Sequence, residues 1–529
     1  MLRFMNKQKW SFILLSTLIL FLGSQGYLEA AGSRIQAKYV FIFIGDGMGV
    51  AQRNAAENYL ASIKGLKRPE EARLVMNTFP AQGMNTTYDL TSIIPDSAST
   101  ATAISTGFKT KSGVIAMDPE GKTPYSTIAE IAKKKGWKVG IVTTVSLDHA
   151  TPAAFYAHVP SRNQMYEISL QLANSGFDFF GGGKLFQPED KNDKSKPNAL
   201  EVAKKNGYTI ITGRKGFNTL HKGQGKIIAV NELVDKDGAM YYTLDQNGSP
   251  DHVTLAEFVE KGISLLTNPK GFLFMIESGK IDWACHANDA AASIHDTLAL
   301  DAAVTKAVAF YKKHPKDTLI IVTGDHETGG MTIGFAGTQY AYFVEKIKNQ
   351  KMSYIQFTQK LQAYKKEHTL QNAKLEDLLP LIKEAFGLYV LPAEEKAALQ
   401  KAVAEGKAEG ASETVKKAAR EAEKILKYSL ALSDREIKVL QEAFKQSMLD
   451  KKEPAADEIT YLHYGGYEPL AVKLTTILNN KAGIGWTSYS HTGVPVQTSA
   501  LGVGAALFNG YYDQTDIHRK LMQISGLGK

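Results

Sequence analysis

Lys38-Tyr39-Val40-Phe41-Ile42-Phe43-Ile44 runs directly into Gly45-Asp46-Gly47. The run is of strand length, nearly continuous in apolar side chains, and ends on glycine and a carboxylate. A strand with one wet face would alternate apolar and polar residues. This one does not, so it reads as a central strand buried on both faces, as in parallel sheets covered by helices. The pattern returns at Val139–Thr144, Phe272–Ile276 and Leu319–Thr323. Helices are predicted between these runs, at Ser126–Lys135 with Gly136 behind it, at Leu255–Leu266 and at Ala290–Tyr311. Strands alternating with helices predict an α/β fold: a central, mostly parallel β-sheet covered by helices on both faces.

Each of the four strands ends in a polar cluster. These are Gly45-Asp46-Gly47, Ser146-Leu147-Asp148-His149, Glu277-Ser278-Gly279 and Gly324-Asp325-His326-Glu327. Gly, Asp and Ser end strands in any protein, so one cluster alone means little. In open α/β sheets, however, ligands bind beyond the carboxyl ends of the strands. Four distant segments are thereby expected to deliver Asp, Glu and His to one edge.

A further stretch, Pro95-Asp96-Ser97-Ala98-Ser99-Thr100-Ala101-Thr102-Ala103, is closed by Gly107. Small residues suit a helix starting at Asp96 or Ser97. Ser97 would then sit among the free amides of a first turn, where anions bind well. Alone, the stretch reads first as an N-cap aspartate before a small-residue packing helix.

From about Gly337 to Tyr461 the composition shifts to Lys, Glu, Ala and Leu. Ala397–Lys427 and Asp434–Met448 read as amphipathic helices. We take residues 337–461 as a helical insertion in a catalytic domain made of 31–336 and 462–529. Leu501–Phe508 reads as a Gly/Ala-rich strand near the C-terminus. Residues 1–30 read as a signal peptide. Arg3, Lys7 and Lys9 precede an apolar run, Phe12–Leu22, too short for a comfortable membrane span, with small residues before Gly32. An uncleaved anchor is the alternative. The expectation is a secreted protein, periplasmic or extracellular, with no transmembrane segment in the mature chain.

The 529 residues carry a formal charge of +8, modest for the length and scattered. No Lys/Arg stripe interleaved with aromatics stands out, which argues against a nucleic-acid partner. Cys285 is the single cysteine, so no internal disulfide forms, and a lone cysteine is most often a small buried apolar residue.

The ligand-type residues have a spacing of their own. Asp282 and His286 are four apart, on one helical face. His491 could join them from the returning segment, and Asp325-His326 can reach a site from one turn. Mixed His/Asp sets suit zinc. An oxygen set of Asp46, Glu277 and the Thr151 hydroxyl suits magnesium. Each of these signals is weak alone.

Together, and in this order, the segments resemble the alkaline phosphatases. They are Gly45-Asp46-Gly47-Met48-Gly49, Asp96-Ser97-Ala98, Asp148-His149-Ala150-Thr151-Pro152-Ala153 with Ser161-Arg162, Glu277-Ser278-Gly279-Lys280-Ile281-Asp282 with His286, Thr323-Gly324-Asp325-His326-Glu327, and His491-Thr492-Gly493. The resemblance covers about Tyr39–Phe335 and Gly485–Phe508. It implies two Zn²⁺ and one Mg²⁺. Asp282, His286 and His491 look like ligands of the first zinc, and Asp46, Asp325 and His326 of the second, joined by Ser97. Asp46 would bridge to magnesium, completed by Thr151 and Glu277. Arg162 looks like the guanidinium that grips phosphate, braced by Asp96.

The activity implied is hydrolysis of phosphate monoesters through a phosphoserine on Ser97. Paired metals about 4 Å apart suit such a displacement, since they can clamp both the attacking and the leaving oxygen. Two positions depart from the best-known enterobacterial branch, which has an Asp near the magnesium and a Lys near the phosphate. This chain has His149 and Trp283. His149 reads as a third-site ligand or substrate contact, which leaves the third metal open. Trp283 reads equally as a substrate contact or as packing. The alternatives are a phosphodiesterase or other hydrolase of the superfamily, and a non-catalytic metal- or phosphate-binding protein. Family members are often homodimers.

Overall fold

The computed structural model describes residues 36–528, except 67, 247 and 450–456. The predicted signal peptide lies outside these residues. The strands are β1 (Tyr39–Gly45), β2 (Ala81–Thr86), β3 (Lys138–Thr143), β4 (Phe179–Gly182), β5 (Tyr208–Thr212), β6 (Lys226–Val230), β7 (Phe272–Ser278) and β8 (Thr318–Gly324). The short pieces β9 (Glu327–Thr328), β10 (Thr332–Ile333), β11 (Ile484–Gly485) and β12 (His491–Thr492) follow, then β13 (Val496–Gly502) and β14 (Gly510–Asp513). Ten of them form one sheet in the order β14-β2-β13-β8-β1-β7-β3-β4-β6-β5. Only β13 runs against its neighbours; all other adjacent pairs are parallel.

The opening stretch forms the middle of this sheet. Every residue of β1 is buried. Phe41 and Phe43 enter one apolar core, while Val40, Ile42 and Ile44 enter the other. A strand that must fill both cores cannot spare positions for polar residues, which explains the unbroken apolar run. The helices Leu255–Leu266 and Ala290–Lys313 cover the first face. Ile128–Lys134, Met165–Asn174 and Thr515–Ser525 cover the second.

Register then places the site. Gly45 of β1 pairs with Ser278 of β7 and with Gly324 of β8, and Thr143 of β3 pairs with Glu277. Asp46, Glu277 and Asp325 therefore leave the sheet at one level on adjacent strands.

Two expectations are corrected. The predicted helix Ala397–Lys427 is two helices, Ala393–Gly406 and Glu413–Tyr428. Gly410 takes a left-handed φ of 80° between them, and Ser412 caps the second by accepting from the Val415 amide. The predicted strand Leu501–Phe508 is instead the end of β13, a glycine turn and a 3₁₀ turn at Ala505–Phe508. Gly502 and Gly504 both have positive φ, which ends the extended run. Elsewhere in the Lys/Glu-rich block, Tyr354–Glu367, Leu375–Phe386 and Asp434–Met448 bury Phe357, Leu361, Ile382, Phe386 and Leu440 in the first core.

Candidate active site

Ser97 opens the Ser97–Thr106 helix and is buried. Asp96 is its N-cap: Oδ1 accepts from the Ser99 amide at 3.0 Å. Gly107 closes the helix in the left-handed region and donates its N–H to Ala103. The Ser97 hydroxyl faces His326 Nε2 at 3.1 Å. That nitrogen also lies 3.4 Å from Asp46 Oδ1 and 3.4 Å from Asp325 Oδ2. One sheet edge thus brings Asp46, Asp325, His326 and Ser97 onto a common point.

The turn behind Asp46 depends on glycine. Gly47 has φ 69°, and a Cβ there would meet the Asp282 backbone at 2.8 Å. Its amide donates to Asp325 Oδ1 at 3.1 Å, which holds that carboxylate in place.

Asp282 and His286 lie on the Lys280–His286 helix, and His491 lies on β12. His286 Nδ1 donates to the Tyr489 carbonyl at 2.6 Å, and His491 Nδ1 donates to the Pro95 carbonyl at 2.7 Å. Those carbonyls fix the tautomers and leave both Nε2 lone pairs pointing inward. The two Nε2 atoms are 3.1 Å apart. His286 Nε2 is 3.3 Å from one Asp282 oxygen and His491 Nε2 is 3.6 Å from the other. At that separation the two nitrogens need a proton or a metal ion between them.

A third group holds Asp46, His149 and Glu277, whose ligand atoms lie within 4.8 Å of one another. Thr151 Oγ1 donates to Asp46 Oδ2 at 3.5 Å, and Thr143 donates to Glu277 Oε2. Asp46 Oδ1, Glu277 Oε1 and His149 Nδ1 are buried without a hydrogen-bond partner. Buried carboxylate oxygens lacking donors are costly. Burial, with the neighbouring carboxylates, raises Asp46 well above its ordinary range and pushes Asp325 up to about 8. Burial pushes Glu277 up to about 7, against the hydrogen bonds it accepts. Burial opposes a cation at His286, yet Asp282 outweighs it and raises the imidazole to about 9. The protein supplies too little positive charge for these carboxylates, and bound cations would supply the remainder. The donor sets fit divalent metals.

Arg162 completes the site. Its Nη1 donates to Asp96 Oδ2 at 2.9 Å, and Nη2 meets His149 Nε2 at 3.2 Å. Burial and the Arg162 charge push His149 down to about 3, so the ring is neutral. Trp283 stands edge-on to His149, with centroids 6.0 Å apart.

The residues expected as catalytic, substrate-binding or metal-binding lie together here, whereas Asp148 turns away: its oxygens accept the Phe186 and Gln187 amides at 2.9 and 2.8 Å. Cys285 is buried beside Ser293 Oγ and has no part in the site. Other residues support the site: Thr328 and Gln52 carry no sequence signal, while Glu327 and Thr492 lie in the quoted segments. Thr328 Oγ1 donates to Asp282 Oδ1 at 2.5 Å and lies 3.2 Å from His326 Nδ1. Glu327 accepts from Gln52 at 2.6 Å and from Thr492. Thr100, on the Ser97 helix, adds a contact: its hydroxyl reaches Asp325 Oδ2 at 3.3 Å.

A buried serine at a helix start, an arginine nearby and three metal-type ligand groups at the carboxyl edge of a mostly parallel sheet have the make-up of a metal-dependent phosphoryl-transfer hydrolase. Residues 37–527 match the family model for alkaline phosphatase, and the chain belongs to that family. It is similar to alkaline phosphatase 3 of Bacillus subtilis, at 29% identity over 510 residues, covering 93% of this chain and 90% of that one. It is also similar to the tissue-nonspecific alkaline phosphatase of Rattus norvegicus, at 32% identity over 338 residues, covering 55% of this chain and 63% of that one. Among solved structures it resembles the cold-active alkaline phosphatase of a psychrophilic Shewanella species, with TM-score 0.66, 26% identity, and coverage of 92% and 99% of the two chains. The protein is a phosphatase acting on phosphate monoesters, and it binds divalent metals.

Proposed function

We propose that Ser97 is the nucleophile and that hydrolysis passes through a phosphoserine on it. The observation that carries this is the convergence of Ser97 Oγ, His326 Nε2, Asp46 and Asp325. Zn²⁺ suits the set Asp282, His286 and His491, and also the set Asp46, Asp325, His326 and Ser97. Mg²⁺ suits Asp46, Thr151 and Glu277, with His149 as the residue that decides between metals at this third position. Bound divalent ions would supply the charge that favours the Ser97 alkoxide and the departing alkoxide.

The chain's own residues do the rest. Ser97 Oγ attacks phosphorus, the P–O bond to the alcohol breaks, and the alcohol leaves with a proton. Water then attacks the phosphoserine, freeing inorganic phosphate and returning the serine hydroxyl. Arg162 holds two phosphoryl oxygens with the N–H groups not committed to Asp96, a planar contact that lysine cannot copy. Ser97 with Arg162 favours monoesters over diesters, because a diester has two non-bridging oxygens where a monoester has three, and with two on Arg162 none is left for a bound cation. The reading extends to export through the N-terminal leader, to a homodimer, and to residues 337–461 as an insertion in the catalytic domain. No described helix is long and apolar enough to cross a membrane.

The test is chelation with EDTA followed by Zn²⁺ and Mg²⁺, with monoester hydrolysis expected to vanish and return. Ser97→Ala should lower turnover about 10³-fold or more and trap no covalent phosphate after acid quench. A Ser97→Ala protein that still trapped phosphate would overturn the assignment.

A further inference from the structure

His286 and His491 are 205 residues apart in sequence, yet their Nε2 atoms lie 3.1 Å from each other. Neither rides on a long element. Asp282 and His286 belong to the seven-residue helix Lys280–His286, and His491 to the two-residue β12. Ligand atoms must be held within roughly 0.5 Å of their places to serve an ion. Elements this short do not achieve that alone, so something must fix the gap between the two segments.

Asn288 spans it. This residue is buried, two positions beyond His286, and its Nδ2 donates to the Cys285 carbonyl at 3.0 Å and to the Ser488 carbonyl at 2.8 Å. Cys285 belongs to the helix that carries Asp282 and His286, and Ser488 lies on the segment leading to His491. A side-chain amide has two N–H donors, and both are spent on this bridge. The next residue along, Tyr489, offers its carbonyl to His286 Nδ1 at 2.6 Å. A shift at Ser488 would therefore pass directly to the His286 ring. The Asn288 backbone carbonyl accepts in turn from Asn479 Nδ2 at 2.7 Å, which ties the bridge to the Pro469–Ala482 helix.

The backbone of Asn288 points the same way. Its φ is 51°, in the left-handed region, just past the end of the ligand-bearing helix. A left-handed residue closes many helices, and glycine fills that place without steric cost. This chain uses glycine so at Gly107, Gly387, Gly465 and Gly483. The stop itself needs no side chain here either. The backbone amides of Asn288 and Asp289 already donate to the Cys285 and Ala284 carbonyls at 3.0 and 2.8 Å. Glycine would thus satisfy the turn and lose the bridge. Glutamine would carry the amide on a longer arm and a strained backbone. Asparagine tolerates the left-handed region and has the amide at the right reach, so it meets both demands.

We propose that Asn288 is a positioning residue for the set Asp282, His286 and His491: its side-chain amide fixes the distance between the Lys280–His286 helix and the His491 segment. It acts through the Cys285 and Ser488 carbonyls and has no part in the chemistry at phosphorus. The inference rests on the reading of those three side chains as ligands of one ion.

The full chain, loaded with Zn²⁺ and Mg²⁺ and dialysed against graded chelator, decides it by the ions retained per chain, with circular dichroism to show that each variant is folded. Asn288→Gly keeps the turn and removes the amide. It should release one ion at about ten- to hundredfold lower chelator than the wild type, the usual effect of losing a group that orients a ligand, with the other ions unmoved. Asn288→Asp keeps shape and turn but sets a carboxylate oxygen against two carbonyls, so it should release the same ion at lower chelator still. In a His286→Ala background, where that ion is already lost, Asn288→Gly should change nothing further. Asn479→Leu frees the Asn288 carbonyl without touching the bridge and should give a smaller loss of the same ion. It decides the matter by the same criteria if substitution at 288 unfolds the chain. Wild-type retention in folded variants, or loss of every ion in step with unfolding, overturns the proposal and leaves the ligand reading standing. A wild-type chain that holds no ion overturns the ligand reading, and the proposal with it.

Discussion

One carboxylate ties Arg162 to the start of the Ser97 helix: Asp96 Oδ2 accepts from Arg162 Nη1 at 2.9 Å while Oδ1 caps the helix through the Ser99 amide. Burial would raise this acid, but the Arg162 charge and the donated hydrogen bonds outweigh it and hold it below its ordinary value. The two roles separate by substitution. Asp96→Asn keeps a capping side chain and loses the charge. Phosphate inhibition should weaken about ten- to hundredfold, the scale of a hydrogen bond to a charged group, while thermal stability changes little. Asp96→Ala should add a stability loss of about 1 kcal/mol for the missing cap. Inhibition constants and melting curves on both variants check this, and an Asn variant with wild-type phosphate affinity would show that Arg162 needs no bracing.

Thr328 touches two of the three candidate metal groups, donating to Asp282 at 2.5 Å and facing His326 Nδ1 at 3.2 Å. A hydroxyl that spends its proton on Asp282 can only accept from His326, so it fixes Nδ1–H and turns the Nε2 lone pair toward Ser97. We expect Thr328→Val, which keeps the shape, to reduce metal affinity about ten- to hundredfold. Thr328→Ser should restore most of it. Metal retained after dialysis against graded chelator gives the readout independently of turnover. Equal retention in the Val and wild-type proteins would make Thr328 a packing residue.

Both faces of β1, β7 and β8 are buried, so their apolar runs announced them, and the ligands at their ends followed from the sheet rule. Thr328 and Gln52 carry no signal in the sequence for a physical reason. A single threonine or glutamine has no periodicity, and its partner is set by a crossing of chain segments far apart in sequence. The helix break near Gly410 was hidden because Ala, Lys and Glu continue a helical pattern through it. The C-terminal strand was misplaced because Ala, Gly and Leu suit an extended run and a 3₁₀ turn alike. Asp148 had the right neighbours and the wrong direction, which only the turn after β3 decides.

Lys280 and Asp235 form a buried ion pair, 2.7 Å apart, with Lys280 roofed by Tyr242 and Trp283. Removing one partner leaves an uncompensated buried charge, at a cost of about 3–5 kcal/mol. Lys280→Met fills most of the volume, so its loss should report the stranded Asp235 carboxylate rather than a cavity. Lys280→Met with Asp235→Asn should recover at least half of that loss. Denaturant unfolding of the metal-loaded proteins measures both, and a double variant as unstable as Lys280→Met would assign the cost to packing.

His158 and Glu130 give a pH dependence away from the metals. His158 Nε2 lies 2.9 Å from Glu130 Oε1, and Nδ1 donates to the Ala116 carbonyl at 2.9 Å. Burial works against both charges, yet the shared hydrogen bond and the opposite charge prevail, raising His158 and lowering Glu130. A raised histidine stabilises the fold fully below its unfolded value near 6.5. That contribution fades as pH climbs through the folded value. A lowered glutamate stabilises above its unfolded value near 4.3, and that contribution fades as pH falls through the folded value. The pair is therefore worth most between about pH 5 and 6. His158→Gln keeps hydrogen bonding and removes the charge. The gap in unfolding free energy between it and the wild type should be on the order of 1 kcal/mol at pH 5.5 and shrink by pH 9. Comparing the two proteins at each pH cancels metal loss and every other titration they share. A gap of the same size at both pH values would mean that His158 acts here as a neutral hydrogen-bonding ring.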